Sequence, residues 1–226
     1  MKINQLYGVE AVSQASGLII IVDVLRASST AAYAFAKGAE QIIPVSTLKE
    51  AYDLKALHPD YILVGENNGE AFAGTDFGNS PSALENVNLR SKTIVLRTTQ
   101  GTQGLMNCPL SNTVLFGSFL TAKAMQRFIE VSDVPEISLV ALGGSLSEDA
   151  AFTAYFEKMI RGKMVSLEKV RQEMRQNIFA SRFFKNIPWF PEKDFWLCFE
   201  SDDKFNFILK LNQTNRVLER VDVPVK

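Results

Sequence analysis

Residues 17–30 read GLIIIVDVLRASST. From Leu18 to Leu25 every side chain but Asp23 is apolar, and Ile and Val dominate. A run without polar alternation is the pattern of a strand covered on both faces, as in a parallel sheet with helices above and below. The reading predicts a strand over 17–25, then a helix of small residues over 28–38, opened by Ser28 or Ser29 as N-cap and closed by Gly38. The alternation continues along the chain. Apolar runs at 41–45, 61–65, 93–98, 113–116 and 137–142 read as further strands. Helices are predicted over 47–57, behind the capping box formed by Thr47 and Glu50, from Ser80-Pro81, and over 101–107, 120–130 and 147–160. This order specifies an α/β protein, a three-layer α/β/α arrangement around a mostly parallel sheet.

The last third lacks that rhythm. Residues 151–186 read as one or two helices, 187–191 (IPWFP) as a Pro-broken aromatic link, and 196–198 and 205–211 as short strands. The expected organisation is an α/β domain over 1–160 carrying the polar motifs, with a C-terminal α+β portion over 161–226 packed against it. No low-complexity linker separates the two, so one continuous domain is also open.

Bulk chemistry narrows the function. The 226 residues carry 24 Lys and Arg against 25 Asp and Glu, so no basic footprint for nucleic acid is expected. Cys108 and Cys198 are not at metal-ligand spacing and read as free thiols of a reducing compartment, with one disulfide between them as the alternative. With His58 the single histidine, a histidine triad or histidine-rich metal site is not expected. No apolar run reaches membrane-spanning length and the start carries no signal-peptide pattern, so a cytoplasmic protein with no membrane partner is expected.

In open α/β sheets ligands gather beyond the carboxyl ends of the strands. Those ends share a composition here: Asp23 with Arg26, Ser28, Ser29 and Thr30; Gly65-Glu66-Asn67-Asn68-Gly69; Asp76-Phe77-Gly78-Asn79-Ser80-Pro81; Thr98-Thr99-Gln100-Gly101-Thr102; and Gly143-Gly144-Ser145 followed by Glu148-Asp149. Hydroxyls and glycines at helix starts suit an anion, Arg26 offers a planar donor fork, and the acids suit a hard divalent cation such as Mg²⁺. Mg²⁺ bound to phosphate reconciles anion pockets with carboxylates in one cleft. Each piece also has a plain structural reading: Asp23, Ser28 and Ser29 as helix caps, Glu66 as a solvated loop acid, Asn79-Ser80-Pro81 as turn chemistry, Thr98-Thr99 as a strand end. Phosphatase loops built on Cys-x5-Arg are absent, as is the nucleotide-binding Gly-x4-Gly-Lys-Ser/Thr.

Taken in order, VDVLRASST, GENNG, FGNSPS, TTQGT, GS and SED resemble the 2-phosphosulfolactate phosphatase family over about residues 17–155. The resemblance implies an α/β/α fold and an Mg²⁺-dependent phosphatase of coenzyme M biosynthesis acting on 2-phospho-3-sulfolactate to give sulfolactate and phosphate. By that implication Asp23, Arg26 and Glu66 are catalytic, with Asp23 or Glu66 as general base. Asp23, Glu66, Glu148 and Asp149 surround Mg²⁺, and Ser28, Ser29, Thr30, Asn79, Ser80, Thr98, Thr99, Gly101 and Thr102 hold the small anionic phosphorylated substrate. Arg97 could assist Arg26, although strand alternation turns it away from Leu96 and Thr98. Gln100 stands where the family more often has Asn, and AAFTAYF follows Asp149 where small residues are usual. Two alternatives stay open: a phosphatase for another short phosphorylated hydroxy acid, and a non-catalytic binding protein for a small anionic metabolite. Aromatic residues between Phe179 and Phe199 could form a homodimer face or part of the core.

Overall fold

The run that begins at Leu18 does form a strand, but it ends at Val22, where Asp23 turns out of the sheet to meet the next helix. The computed structural model describes residues 1–110 and 112–225. Among these the strands are β1 (Lys2–Tyr7), β2 (Leu18–Val22), β3 (Gln41–Val45), β4 (Ile62–Gly65), β5 (Phe77–Gly78), β6 (Thr93–Arg97), β7 (Val114–Gly117), β8 (Glu136–Ala141), β9 (Phe207–Leu211) and β10 (Leu218–Asp222). The helices are α1 (Ala27–Ala36), α2 (Leu48–Leu57), α3 (Pro81–Leu84), α4 (Gly101–Met106), α5 (Ala122–Val131), α6 (Glu148–Ile160), α7 (Leu167–Arg175) and α8 (Glu192–Cys198), with short 3₁₀ turns at Val9–Gln14, Phe119–Thr121 and Ser181–Phe184.

All ten strands lie in one sheet in the order β1-β8-β2-β7-β9-β10-β3-β6-β4-β5. Two four-stranded blocks, β1-β8-β2-β7 and β3-β6-β4-β5, are parallel throughout. The antiparallel hairpin β9–β10 joins them, β9 pairing with β7 and β10 with β3. Residues 207–222 therefore lie at the middle of the sheet, inside the architecture that the first 160 residues begin.

The missing alternation in β2 has a direct cause. Ile19 and Ile21 enter a core with Ala31, Phe35 and Leu105 from α1 and α4. Leu18, Ile20 and Val22 enter a second core with Met125, Phe152, Phe156 and Phe195 from α5, α6 and α8. Both faces of the strand are dry, so both are apolar. The described residues contain no helix long and apolar enough to cross a membrane.

Several expectations are corrected. The segment 196–198 is helical: Phe195, Cys198 and Phe199 are buried at i, i+3 and i+4, and that spacing outweighs the strand propensity of aromatic residues. β1 and β10 were not foreseen; their polar side chains give short amphipathic patterns with little contrast. The two-residue strand β5 lies within Asp76-Phe77-Gly78-Asn79-Ser80-Pro81, a segment that reads as a polar turn. Neither Ser28 nor Ser29 caps α1. Their hydroxyls donate backward to the carbonyls of Asp23 (2.6 Å) and Val24 (2.8 Å), and the cap is the Asp23 carboxylate, which accepts the Ala27 N–H at 3.0 Å. The capping box at Thr47 and Glu50 is present. The aromatic segment divides: Phe183, Phe195 and Phe199 are core, while Phe179 and Trp189 are exposed.

Candidate active site

A cavity of about 390 Å³ opens where the segments following β2, β4, β6 and β8 meet, and Asp23, Glu66, Thr99 and Gly143 line it. Asp23 occupies the first position after β2. Burial pushes its carboxyl up to about 6, helped by the charge of Glu66 and opposed by the Ala27 N–H, Arg182 and Arg26. Its Oδ2 lies so close to Gly101 that a Cβ there would stand 2.6 Å from it and 2.6 Å from the Ala27 Cβ. Glycine at 101 is what lets α4 start against α1.

Glu66 follows β4 and organises the two neighbouring loops. Its oxygens accept the Thr99 N–H at 2.5 Å, the Thr99 hydroxyl at 2.7 Å and the Gly69 N–H at 2.6 Å. Arg97 is turned from the cavity and donates to the Glu66 carbonyl (2.6 Å) and to Asn67 Oδ1 (2.9 Å), fixing the same loop from behind. Thr98 and Thr102 close the start of α4 on each other, each hydroxyl accepting the other residue's N–H at 3.1 Å.

On the opposite wall α6 begins at the N-cap Ser147. Asp149 accepts the Val24 N–H at 2.7 Å and the Gly143 N–H at 2.9 Å, tying the ends of β2 and β8 together. Burial raises its carboxyl above the ordinary range, and Glu148 and Asp23 raise it further. Glu148 is pushed up to about 7, first by burial and then by Asp23, with its own N–H and Arg182 opposing.

Arg26 borders the cavity but is already paired. Its Nη1 donates to Asp194 Oδ2 at 2.8 Å and to the Trp189 carbonyl at 2.7 Å, and both side chains of the ion pair are almost wholly buried. The other Asp194 oxygen accepts the Ser80 hydroxyl and the Ser82 N–H, both at 2.9 Å, so one acid from α8 holds the starts of α1 and α3. Asn79 lines the cavity with its Oδ1 buried and unpartnered. Over the mouth lie Phe179, Phe190 and Arg182, whose guanidinium stacks on the Phe190 ring at 4.6 Å from its centroid.

The 2-phosphosulpholactate phosphatase family model matches residues 7–212. The chain belongs to this family of phosphoric monoester hydrolases. It is 30% identical over 208 residues to a Bacillus subtilis protein named "Probable 2-phosphosulfolactate phosphatase", covering 89% of this chain and 91% of the relative. Proteins of the same printed name from Carboxydothermus hydrogenoformans (42% over 130 residues, 57% of this chain and 54% of the relative) and Caldicellulosiruptor saccharolyticus (34% over 144 residues, 61% and 60%) are also similar.

Set against the sequence reading, the family fold brings Asp23, Arg26, Glu66, Asn79, Thr99, Glu148 and Asp149 to one cavity. It does not bring Ser28, Ser29, Thr30, Ser80, Thr98, Gly101 or Thr102 to its wall. Ser28, Ser29, Thr98 and Thr102 are buried with hydroxyls bonded to backbone, Ser80 caps α3, Gly101 is a packing position and Thr30 is buried within α1. The four acids expected around Mg²⁺ do not form one cluster: among the described residues no three His, Cys, Asp or Glu side chains are grouped so as to hold a metal ion. The physical reason is that Glu66 and Asp149 turn their oxygens to backbone N–H groups. Sequence reasoning missed Arg182 and Asp194. The segment that carries them has no strand–helix alternation, and nothing local marks an acid in α8 as the partner of an arginine 168 residues away.

Proposed function

We propose that this chain is an Mg²⁺-dependent phosphatase for the phosphate ester of a small 2-hydroxy acid, of the 2-phospho-3-sulfolactate kind, releasing sulfolactate and phosphate. The observation that carries the reading is the presence of two buried acids, Asp23 and Glu148, at the carboxyl ends of parallel strands in one cavity bordered by arginine, where the charge of Glu66 raises the affinity of Asp23 for a proton and the charge of Asp23 raises that of Glu148. Two such carboxylates fit Mg²⁺, which is commonly held by one or two carboxylates with waters and substrate phosphate completing its shell. Asp23 and Glu148 would hold it, and when bound it would neutralise charge on the phosphoryl oxygens. Water attacks phosphorus, the bond from phosphorus to the ester oxygen breaks, and the leaving alkoxide takes up a proton. A carboxylate oxygen of Asp23 or Glu148 left free by the metal would take the proton of that water. Glu66 and Asp149 keep the two walls in register through their backbone N–H contacts. The same reading sets the reaction in the cytoplasm, in the sulfonate chemistry of coenzyme M biosynthesis.

The test is a panel of small phosphoesters assayed for phosphate release with Mg²⁺ and with EDTA. Highest kcat/KM is expected for 2-phospho-3-sulfolactate, with loss in EDTA and a fall of about a hundredfold or more in Asp23→Asn and Glu148→Gln. Full activity in EDTA, or in both variants, would overturn the assignment. Saturable binding of the substrate with no phosphate release would make the chain a binding protein.

A further inference from the structure

The charged side chains bordering the cavity are Asp23, Glu66, Glu148, Asp149, Arg26 and Arg182. Acids outnumber bases, yet on the phosphatase reading a phosphate ester that also carries a carboxylate and a sulfonate must be held there. Arg26 is neutralised by Asp194, its guanidinium held between that carboxylate and the Trp189 carbonyl. Arg182 differs. Its Nε is buried without a partner, and its guanidinium donates to no acceptor among the described residues. Ring faces hold it instead, with Phe190 at 4.6 Å and Phe183 at 5.7 Å from its centre. Stacking of this kind fixes the guanidinium while leaving its N–H edge free for an anion.

The position is as informative as the lack of a partner. Arg182 lines the same cavity as Asp23 and Glu148, and neither acid accepts a hydrogen bond from it among the described residues. Arg182 belongs to the 3₁₀ turn at Ser181–Phe184, anchored by buried Ala180 and Phe183, so the mount is rigid although nearby Phe179 is exposed. Phe179 and Phe190 give the mouth apolar surface suited to a short carbon chain.

We propose that Arg182 receives one of the two non-transferred anionic groups of the substrate, the sulfonate or the carboxylate, and so selects phosphoesters that carry a further anion. This rests on the phosphatase reading above. A substrate lies with its phosphate at the Asp23–Glu148 wall and its second anion against the N–H edge of Arg182, its carbon chain passing the two rings. Arg26 positions the α1 start and does not make this contact.

The experiment uses the Mg²⁺-loaded protein and the variants Arg182→Gln and Arg182→Lys. Calorimetric titration with 3-sulfolactate and, separately, inorganic phosphate reads the two ends of the site. Arg182→Gln is expected to weaken 3-sulfolactate by about tenfold to a hundredfold while leaving phosphate within about twofold, and Arg182→Lys to restore part of the loss. Retained phosphate binding reports an intact site. In turnover, kcat/KM for 2-phospho-3-sulfolactate should fall by about tenfold or more further than kcat/KM for isopropyl phosphate, which carries no anion beside its phosphate. Unchanged 3-sulfolactate binding in Arg182→Gln, or loss of phosphate binding instead, overturns the proposal. If the wild-type protein hydrolyses neither ester, the phosphatase reading fails, while the 3-sulfolactate titration still decides the role of Arg182.

Discussion

Two carboxylates that face each other out of water oppose folding, and at the scale of single residues that opposition can be measured. Asp23 is raised to about 6 and Glu148 to about 7, burial being the main cause in both. Each folded value lies above the value of a free carboxyl, about 4. The folded chain therefore binds more protons than the unfolded chain between about pH 4 and pH 7, and the stability these protons confer is lost as pH rises through that window. In EDTA the melting temperature is expected to fall between pH 5 and pH 8. Asp23→Asn, whose amide oxygen still accepts the Ala27 N–H, should raise it at pH 8 by several degrees, at about 2–4 °C per kcal/mol, and much less at pH 5. A flat profile, or an Asn variant less stable at pH 8, would contradict this account. Asp23, Glu148, Glu66 and Asn79 were legible in the sequence because polar residues right after apolar strands have few other reasons to be there. Ser28 and Ser29 were misread because a hydroxyl at a helix start looks the same whether it caps forward or bonds backward. Arg182 was invisible because its significance lies in partners it lacks.

At the scale of elements, the site depends on how closely α1 and α4 approach. A methyl group on residue 101 would meet the Ala27 Cβ and Asp23 Oδ2 at 2.6 Å each and Thr98 Oγ1 at 3.0 Å. The Ala27 Cβ moves only with its backbone, and the Asp23 carboxylate and Thr98 hydroxyl are held by the N–H groups of Ala27 and Thr102, so a shift of α4 or of the Asp23 turn must follow. Gly101→Ala is expected to destabilise by about 1–3 kcal/mol and to lower activity through displacement of Asp23. Gly78→Ala, where the new methyl would make an ordinary contact of 3.6 Å with Ala71, serves as the matched control and should change stability by less than about 1 kcal/mol. Equal melting temperatures for the two variants would show that α4 yields without strain. The strand–helix order of residues 17–160 could be read, β5 apart, because the longer strands there are mostly buried and several helices have a local start signal, such as the capping box at Thr47. α8 was misread as strand because its aromatic residues favour both states and only the packing of Phe195 and Phe199 on Phe119 and each other chooses the helix.

For the whole molecule the decisive element is the hairpin β9–β10, which joins two parallel blocks that share no other strand pairing. Leu209 faces the core built on α1 and α4, and Ile208 the core built on α5, α6 and α8, so the hairpin contributes to both layers. Long-range strand pairing of this kind leaves no local trace, which is why the central place of residues 207–222 could not be read from their sequence. We expect the two layers to unfold together. The thiols report on each: Cys108 is buried in the first core and Cys198 in the second, and burial pushes Cys108 up to about 12 and Cys198 above its ordinary value. Neither should react with a disulfide reagent at pH 8 while the chain is folded. Leu209→Ala removes a buried side chain from the hairpin and should cost about 2–5 kcal/mol. In that variant both thiols should become reactive at the same, lowered urea concentration. Exposure of Cys198 at a lower concentration than Cys108 would instead mean that the C-terminal third opens as its own cooperative unit, and the sheet would then be continuous in pairing but not in stability.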